Sequence, residues 1–289
     1  MTGMIRRPRP VEGIGWRICA PWKHASYAAT WLLLIAWLAG CSTLPNGRGW
    51  GEDATLAPSW ARVGQAAVQA ARDPSVWAPL AGAAVLQIDG WDRRVSDWAR
   101  RDTPVFGSQV NAERWSNTLR SASVVADGAT VLFTPSGDLA SDWILDKVKG
   151  YAVDLAAATA AIETTSGLQR LTDRTRPNGT NNMSLPSGHT TTSAAYTQLA
   201  SRNLDVIDLD PSARAALDFG LDALTVGTAW ARVEAGEHFP ADTLVGMAIG
   251  NFFGHWFDAA FLGLAGNSRT TVVITPLRNG LALRWETRF

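Results

Sequence analysis

Ser184-Leu185-Pro186-Ser187-Gly188-His189 runs without a break into Thr190-Thr191-Thr192-Ser193-Ala194. Pro186 and Gly188 punctuate the chain, and the residues behind them can form a helix. That order puts the Ser187 hydroxyl, the Gly188 N–H and His189 at or near a helix N-terminus. Free first-turn N–H groups and the positive end of the helix dipole make such a place an anion site. A histidine there adds a proton donor or acceptor that works near neutral pH. On these residues alone, a serine-capped helix that merely carries a histidine accounts for the pattern equally well.

Two further polar islands flank this stretch. Upstream lie Arg170 and Asp173-Arg174-Thr175-Arg176-Pro177, at the end of a long helical segment. Downstream lies Arg232-Val233-Glu234-Ala235-Gly236-Glu237-His238-Phe239-Pro240-Ala241-Asp242. Pro240 suits the first turn of a helix. Asp242 stands four residues after His238, so its carboxylate is expected to reach the imidazole, fix the tautomer and sharpen the other ring nitrogen as a nucleophile or base. Arginine makes forked contacts to phosphate oxygens. Arg176, Arg232, the Ser187 hydroxyl and the Gly188 N–H can surround a tetrahedral oxyanion, with two histidines facing phosphorus and the leaving oxygen. The chemistry this points to is phosphoryl transfer through a histidine.

The rest of the chain reads as a helical background. Helical patterns run over 61–71 and 93–101, over 111–126 with Trp115, Leu119 and Ala122 on one face, and over 139–171 with Ile144, Val148, Tyr151 and Leu155 at helical spacing. Asp127-Gly128 opens a separate segment through Phe133. Further helices are expected over 189–204 and 211–227. The stretch 243–264 is the most apolar after the N-terminus, but Asn251, His255 and Asp258 inside it favour a buried core helix over a membrane span. His255 and Asp258, three apart, are expected to pair. Near the end, Thr270 to Thr275 is rich in branched residues, Asn279-Gly280 is a two-residue turn, and Leu281 to Phe289 alternates. That is a hairpin with one apolar face.

The chain of 289 residues has no formal net charge. No basic run lies beyond the N-terminus, which argues against a nucleic-acid partner. Arg6, Arg7, Arg9, Arg17 and Lys23 precede the uninterrupted apolar run Trp31 to Gly40, and Cys41 follows. This is the pattern of a secretory signal, and Leu38-Ala39-Gly40-Cys41 resembles the lipobox of bacterial lipoproteins. The resemblance implies cleavage before Cys41, a lipid on Cys41, and an envelope protein at the outer membrane facing the periplasm. Without residues 1–40 the charge is 26 − 5 = 21 basic against 26 − 1 = 25 acidic, a net of −4. The expected organisation is a signal over 1–40, a tether over 41–60, one helical domain over 61–268 and a hairpin over 269–289.

Taken in order, Arg176-Pro177, then Pro186-Ser187-Gly188-His189, then Arg232 with His238 and Asp242 resemble the three-part signature of the type 2 phosphatidic acid phosphatase family. Its superfamily includes bacterial class A acid phosphatases and vanadium haloperoxidases. The resemblance implies an all-α helical bundle with the site between helices, and a phosphatase without metal or other cofactor. It also implies roles. His238 attacks phosphorus, Asp242 orients it, and His189 protonates the leaving oxygen. Arg176, Arg232, Ser187 and Gly188 hold the phosphoryl oxygens. One position departs: the family has a lysine seven residues before the arginine, and here Gln169 stands there. Gln169 brings no charge, and Arg174 is the other candidate to supply it. The substrate is a phosphorylated molecule, with lipids among the candidates. Two other readings follow from the same pattern: an envelope lipoprotein that keeps the fold without catalysis, and a haloperoxidase.

Overall fold

The computed structural model describes residues 43–137, 140–263, 270–277 and 280–287, the last two stretches as backbone alone. The expected signal and the lipidation site at Cys41 lie outside the described residues. Among the described residues eight α-helices follow one another: α1 Trp60–Arg72, α2 Pro74–Leu86, α3 Trp91–Asp102, α4 Gln109–Phe133, α5 Ala140–Thr172, α6 Gly188–Leu204, α7 Pro211–Glu234 and α8 Pro240–Phe257. Their starts follow the local chemistry. The side chains of Ser59, Asp73, Ser108 and Asp210 accept N–H groups of the first turn, and Pro74, Pro211 and Pro240 stand where a missing N–H costs nothing. A single π turn, Asp258–Leu262, ends α8.

The all-helical expectation holds for this body. α8 is its axis, packed on α6 and also on α1, α2, α5 and α7, while α6 touches α4, α5 and α7. Gly246, Gly250 and Gly254 make a stripe at four-residue spacing along α8. A Cβ on Gly250 would lie 2.5 Å from the Thr191 carbonyl oxygen, and one on Gly246 would lie 2.6 Å from that of Ser187. The backbones of α6 and α8 therefore meet where no larger side chain fits. This close approach delivers the N-terminus of α6 to the start of α8. Gly250→Ala is expected to destabilise the protein by about 1–3 kcal/mol through overpacking. The midpoint of urea unfolding checks this, and an unchanged midpoint would contradict the packing.

Several expected faces are turned around. α5 buries Val153, Asp154, Ala157, Ala158 and Ala161, while Ile144 and Val148 are 57% and 62% exposed. α4 buries Ala112, Ser116, Ser123, Asp127 and Val131, while Trp115 is half exposed. Tight helix pairs select small residues at the contact and leave the large apolar ones outside. The expected break at Asp127-Gly128 is absent, because α4 runs unbroken to Phe133. Asp127 faces inward to Asn203, whose amide lies 3.4 Å away, and burial raises its carboxyl to about 8. His255 and Asp258 do not form the expected pair. His255 lies 3.1 Å from the Ser75 hydroxyl, and Asp258 accepts from Arg202 at 2.7 and 2.9 Å.

The stretch expected to be a loose tether is in part core. Trp50 is fully buried with Val131, Val153 and Leu262. The Trp50 backbone N–H donates to the Pro135 carbonyl, and the Ser136 hydroxyl donates to the Trp50 carbonyl. A Cβ on Gly150 would overlap the indole ring. Among the described residues no helix is long and apolar enough to cross a membrane. At the C-terminal end, backbone strands Thr270–Leu277 and Gly280–Thr287 run antiparallel with Thr270 opposite Thr287. Turn residue Asn279 and the side chains that would form an apolar face lie outside the described residues.

Candidate active site

The three islands meet where α5, α6, α7 and α8 end or begin. α6 starts at Gly188 with Ser187 as its N-cap, and the Ser187 side chain makes no capping bond. The Ser187 hydroxyl instead accepts from Thr190, and its N–H donates to the Asp242 carbonyl at 3.0 Å. The first-turn N–H groups of α6 are thus left to face an anion. The bond between Leu185 and Pro186 is cis.

His238 is 1% exposed. Its Nδ1 lies 2.6 Å from the backbone carbonyl oxygen of Ser184. A carbonyl only accepts, so Nδ1 carries the proton and Nε2 keeps its lone pair. Burial, and then the charge of Arg232, hold this imidazole well below its ordinary pKa. It is a neutral base with one defined free nitrogen.

Asp242 does not take the expected place on that ring. α8 begins at Pro240, so Asp242 is its third residue and turns back to accept the Phe239 N–H at 2.9 Å. It also accepts from the Ser184 hydroxyl and from Arg174, both at 2.5 Å. Its effect on His238 passes through Ser184, which is bonded to Asp242 by its side chain and to His238 by its carbonyl. Burial raises the Asp242 carboxyl to about 6 despite these donors.

Two other expected phosphate contacts are committed elsewhere. Arg174 bridges Asp242 and Asp92, the latter at 2.7 Å, and lies over the Phe239 ring. Gln169 is buried and donates to the Pro186 carbonyl at 2.7 Å. Both residues brace the loop that presents Ser187 to His189. Arg176 and Arg232 are brought together as expected, on a shared carboxylate that sequence reasoning missed. Glu237 accepts from Arg176 Nη1 and from Arg232 Nη2, and Asn178 adds a third donor. The Nε–H groups of Arg176 and Arg232 are buried with no partner. Unpaired buried donors are costly and rare, and the charges of both arginines lower the pKa of the buried imidazole.

His189 stands across the site, with Nε2 2.9 Å from the Asn117 side-chain oxygen. Burial first, then Arg232, Arg120 and Arg176, push its pKa down to about 3. An anion among these arginines reverses the electrostatic part of that shift. Binding of sulfate is therefore expected to raise the His189 pKa and take up a proton, and to tighten as pH falls. Calorimetry in buffers of different ionisation enthalpy reads the uptake. It should shrink in His189→Gln, and equal uptake in the two proteins would contradict the assignment. Among the described residues no group of three or more His, Cys, Asp or Glu is placed to hold a metal ion.

Of the residues that sequence reasoning missed, Ser184 opens the quoted stretch, and Glu237 stands inside the third island next to His238. Asn117 and Asp92 come from α4 and α3 and have no local signature.

Residues 152–262 match the family model of the PAP2 superfamily. No curated protein matches the chain. Among solved structures, the chain is similar to a transmembrane PAP2-type phosphatidylglycerolphosphate phosphatase from Bacillus subtilis. The two are 17% identical, with a TM-score of 0.48 over 65% of this chain and 94% of that one.

Proposed function

We propose that the chain, whose residues 152–262 match the family model of the PAP2 superfamily, is a phosphatase that hydrolyses a phosphoric ester through a phosphohistidine on His238. The observation that carries this reading is the bond from His238 Nδ1–H to the Ser184 carbonyl, which leaves Nε2 as the nucleophile. In the first step the Nε2 lone pair forms a bond to phosphorus as the bond to the ester oxygen breaks. The leaving oxygen takes a proton from His189, which the bound dianion has brought into its charged form. The positive charge that develops on His238 is shared with the Ser184 carbonyl. In the second step neutral His189 removes a proton from water, water attacks phosphorus, and the N–P bond breaks to release phosphate.

Arg176, Arg232 and the first-turn N–H groups of α6 hold the phosphoryl oxygens through both steps. Glu237 keeps the two guanidinium groups oriented and offsets part of their mutual repulsion. Gln169 supplies no charge, so the oxyanion rests on two arginines and a helix N-terminus. The substrate class includes phosphorylated lipids. The signal and Cys41 support an envelope protein held to a membrane by lipid, with the outer membrane facing the periplasm as its place. The C-terminal hairpin is then an appendage that docks on the helical body or on a partner.

Hydrolysis of 4-nitrophenyl phosphate, with inhibition by orthovanadate, tests the reading. Turnover that vanadate suppresses is the expected result. Bromide oxidation by peroxide that requires vanadate, without phosphate release, would reassign the chain to haloperoxidase chemistry. Neither activity, in protein that binds phosphate analogues, would leave a fold kept without catalysis.

A further inference from the structure

We propose that Arg120 is a third phosphate-binding side chain, which reaches the oxyanion from α4 beside Arg176 and Arg232. This deepens the phosphatase reading and rests on it. The cradle already described is short of charge. Arg176 and Arg232 share the Glu237 carboxylate, whereas a phosphate monoester carries about −1.5 to −2 near neutral pH. Gln169 brings no charge, and Arg174 is held by Asp92 and Asp242.

Packing brings Arg120 to this place. α4 and α6 lie side by side and run in the same direction. Asn117 meets His189 at 2.9 Å, Ser123 meets Ser193 at 2.6 Å, and Asp127 meets Asn203 at 3.4 Å. Arg120 falls between the first two of these contacts. It shares the inward stripe of α4 with Ser116 and Ser123, four residues before it and three after, both fully buried. Ser116 in turn accepts from Arg232 Nη1 at 3.4 Å. Long side chains on a helix lean back toward its N-terminus. The Arg120 guanidinium thus leans toward the level of Ser116 and Asn117, where Arg232 and His189 stand. Its charge is felt there. Burial comes first in lowering the pKa of both His189 and Arg232, and Arg120 adds to it at each. Glu237 and Glu113 act on Arg232 in the opposite sense. Arg120 itself is half-buried, and among the described residues no hydrogen bond or ion pair occupies it. Like charges held together in a partly buried site repel, and a bound phosphoryl group is the counter-ion that relieves this. α4 lies outside the residues 152–262 that match the family model, so this charge comes from a part of the chain that the family model does not cover.

Inorganic phosphate and orthovanadate are the probes, and calorimetry on the full chain reads their binding apart from turnover. Arg120→Gln should weaken both by about tenfold to a hundredfold, the scale of one charge-assisted contact. It should lower kcat/KM for 4-nitrophenyl phosphate by a similar factor. Arg120→Lys keeps the charge and should recover most of both losses. The urea midpoint of Arg120→Gln should stay level or rise, because a repelling charge has gone. Affinities within about twofold of wild type in Arg120→Gln would overturn the proposal. Equal losses in Arg120→Gln and Arg120→Lys, or a lowered midpoint in Arg120→Gln, would trace the effect to packing and overturn it as well. A wild-type chain that neither turns over the ester nor binds vanadate would overturn the phosphatase reading itself.

Discussion

His238→Asn is expected to lower kcat for 4-nitrophenyl phosphate by about 10⁴-fold or more, the scale seen when a nucleophile that works within a concerted group is removed. Asparagine keeps an N–H for the Ser184 carbonyl and removes only the lone pair opposite it. The loss should therefore appear in kcat, with circular dichroism and the unfolding midpoint little changed. It follows from the imidazole being neutral, buried and fixed in one tautomer by an acceptor that offers no alternative. A variant with near wild-type kcat would mean that another group attacks phosphorus.

Trp50→Ala carries the largest expected effect on stability, about 3–5 kcal/mol for truncation of a fully buried tryptophan. The ring fills the space over Gly150, stacks near the Lys147 ammonium at 5.5 Å and closes the cluster of Val131, Val153 and Leu262. Burial lowers Lys147 to about 7, and its ammonium donates to the Thr134 carbonyl and hydroxyl. Removal of the indole would therefore open a cavity and wet a buried cation at once. Urea unfolding measures the change. A loose tether would give a shift within about 0.5 kcal/mol, and that result would contradict the docking of residues 49–51.

The site was legible in the sequence where spacing alone defines chemistry. Pro186 and Gly188 place Ser187 to His189 at or near a helix start, and Arg232, His238 and Asp242 fall at intervals that a turn between two helices can bring together. What was not legible has common physical causes. The partner of His238 is a backbone carbonyl 54 residues away, and a carbonyl carries no side-chain signal. The helix does start at Pro240 as expected, but the Asp242 carboxylate turns back to accept the Phe239 N–H instead of reaching His238. Trp50 was hidden among Gly and Pro, the composition of a linker, and only the gap left by Gly150 shows why it docks. The faces of α4 and α5 depart from the pattern of their large apolar residues, which does not mark the buried side. In helices this closely packed, alanine, serine and glycine form the contact and the large side chains are left outside.

The central claim is a covalent bond between phosphorus and His238 Nε2. Acid-free quenching of the protein during turnover of a phosphate monoester, followed by peptide mass spectrometry, tests it directly. The account predicts a phosphoryl group on the peptide carrying His238, attached at Nε2 and absent from the His189 peptide and from His238→Asn. Turnover that proceeds with no phosphoryl group on His238, or with one on His189 instead, would contradict it.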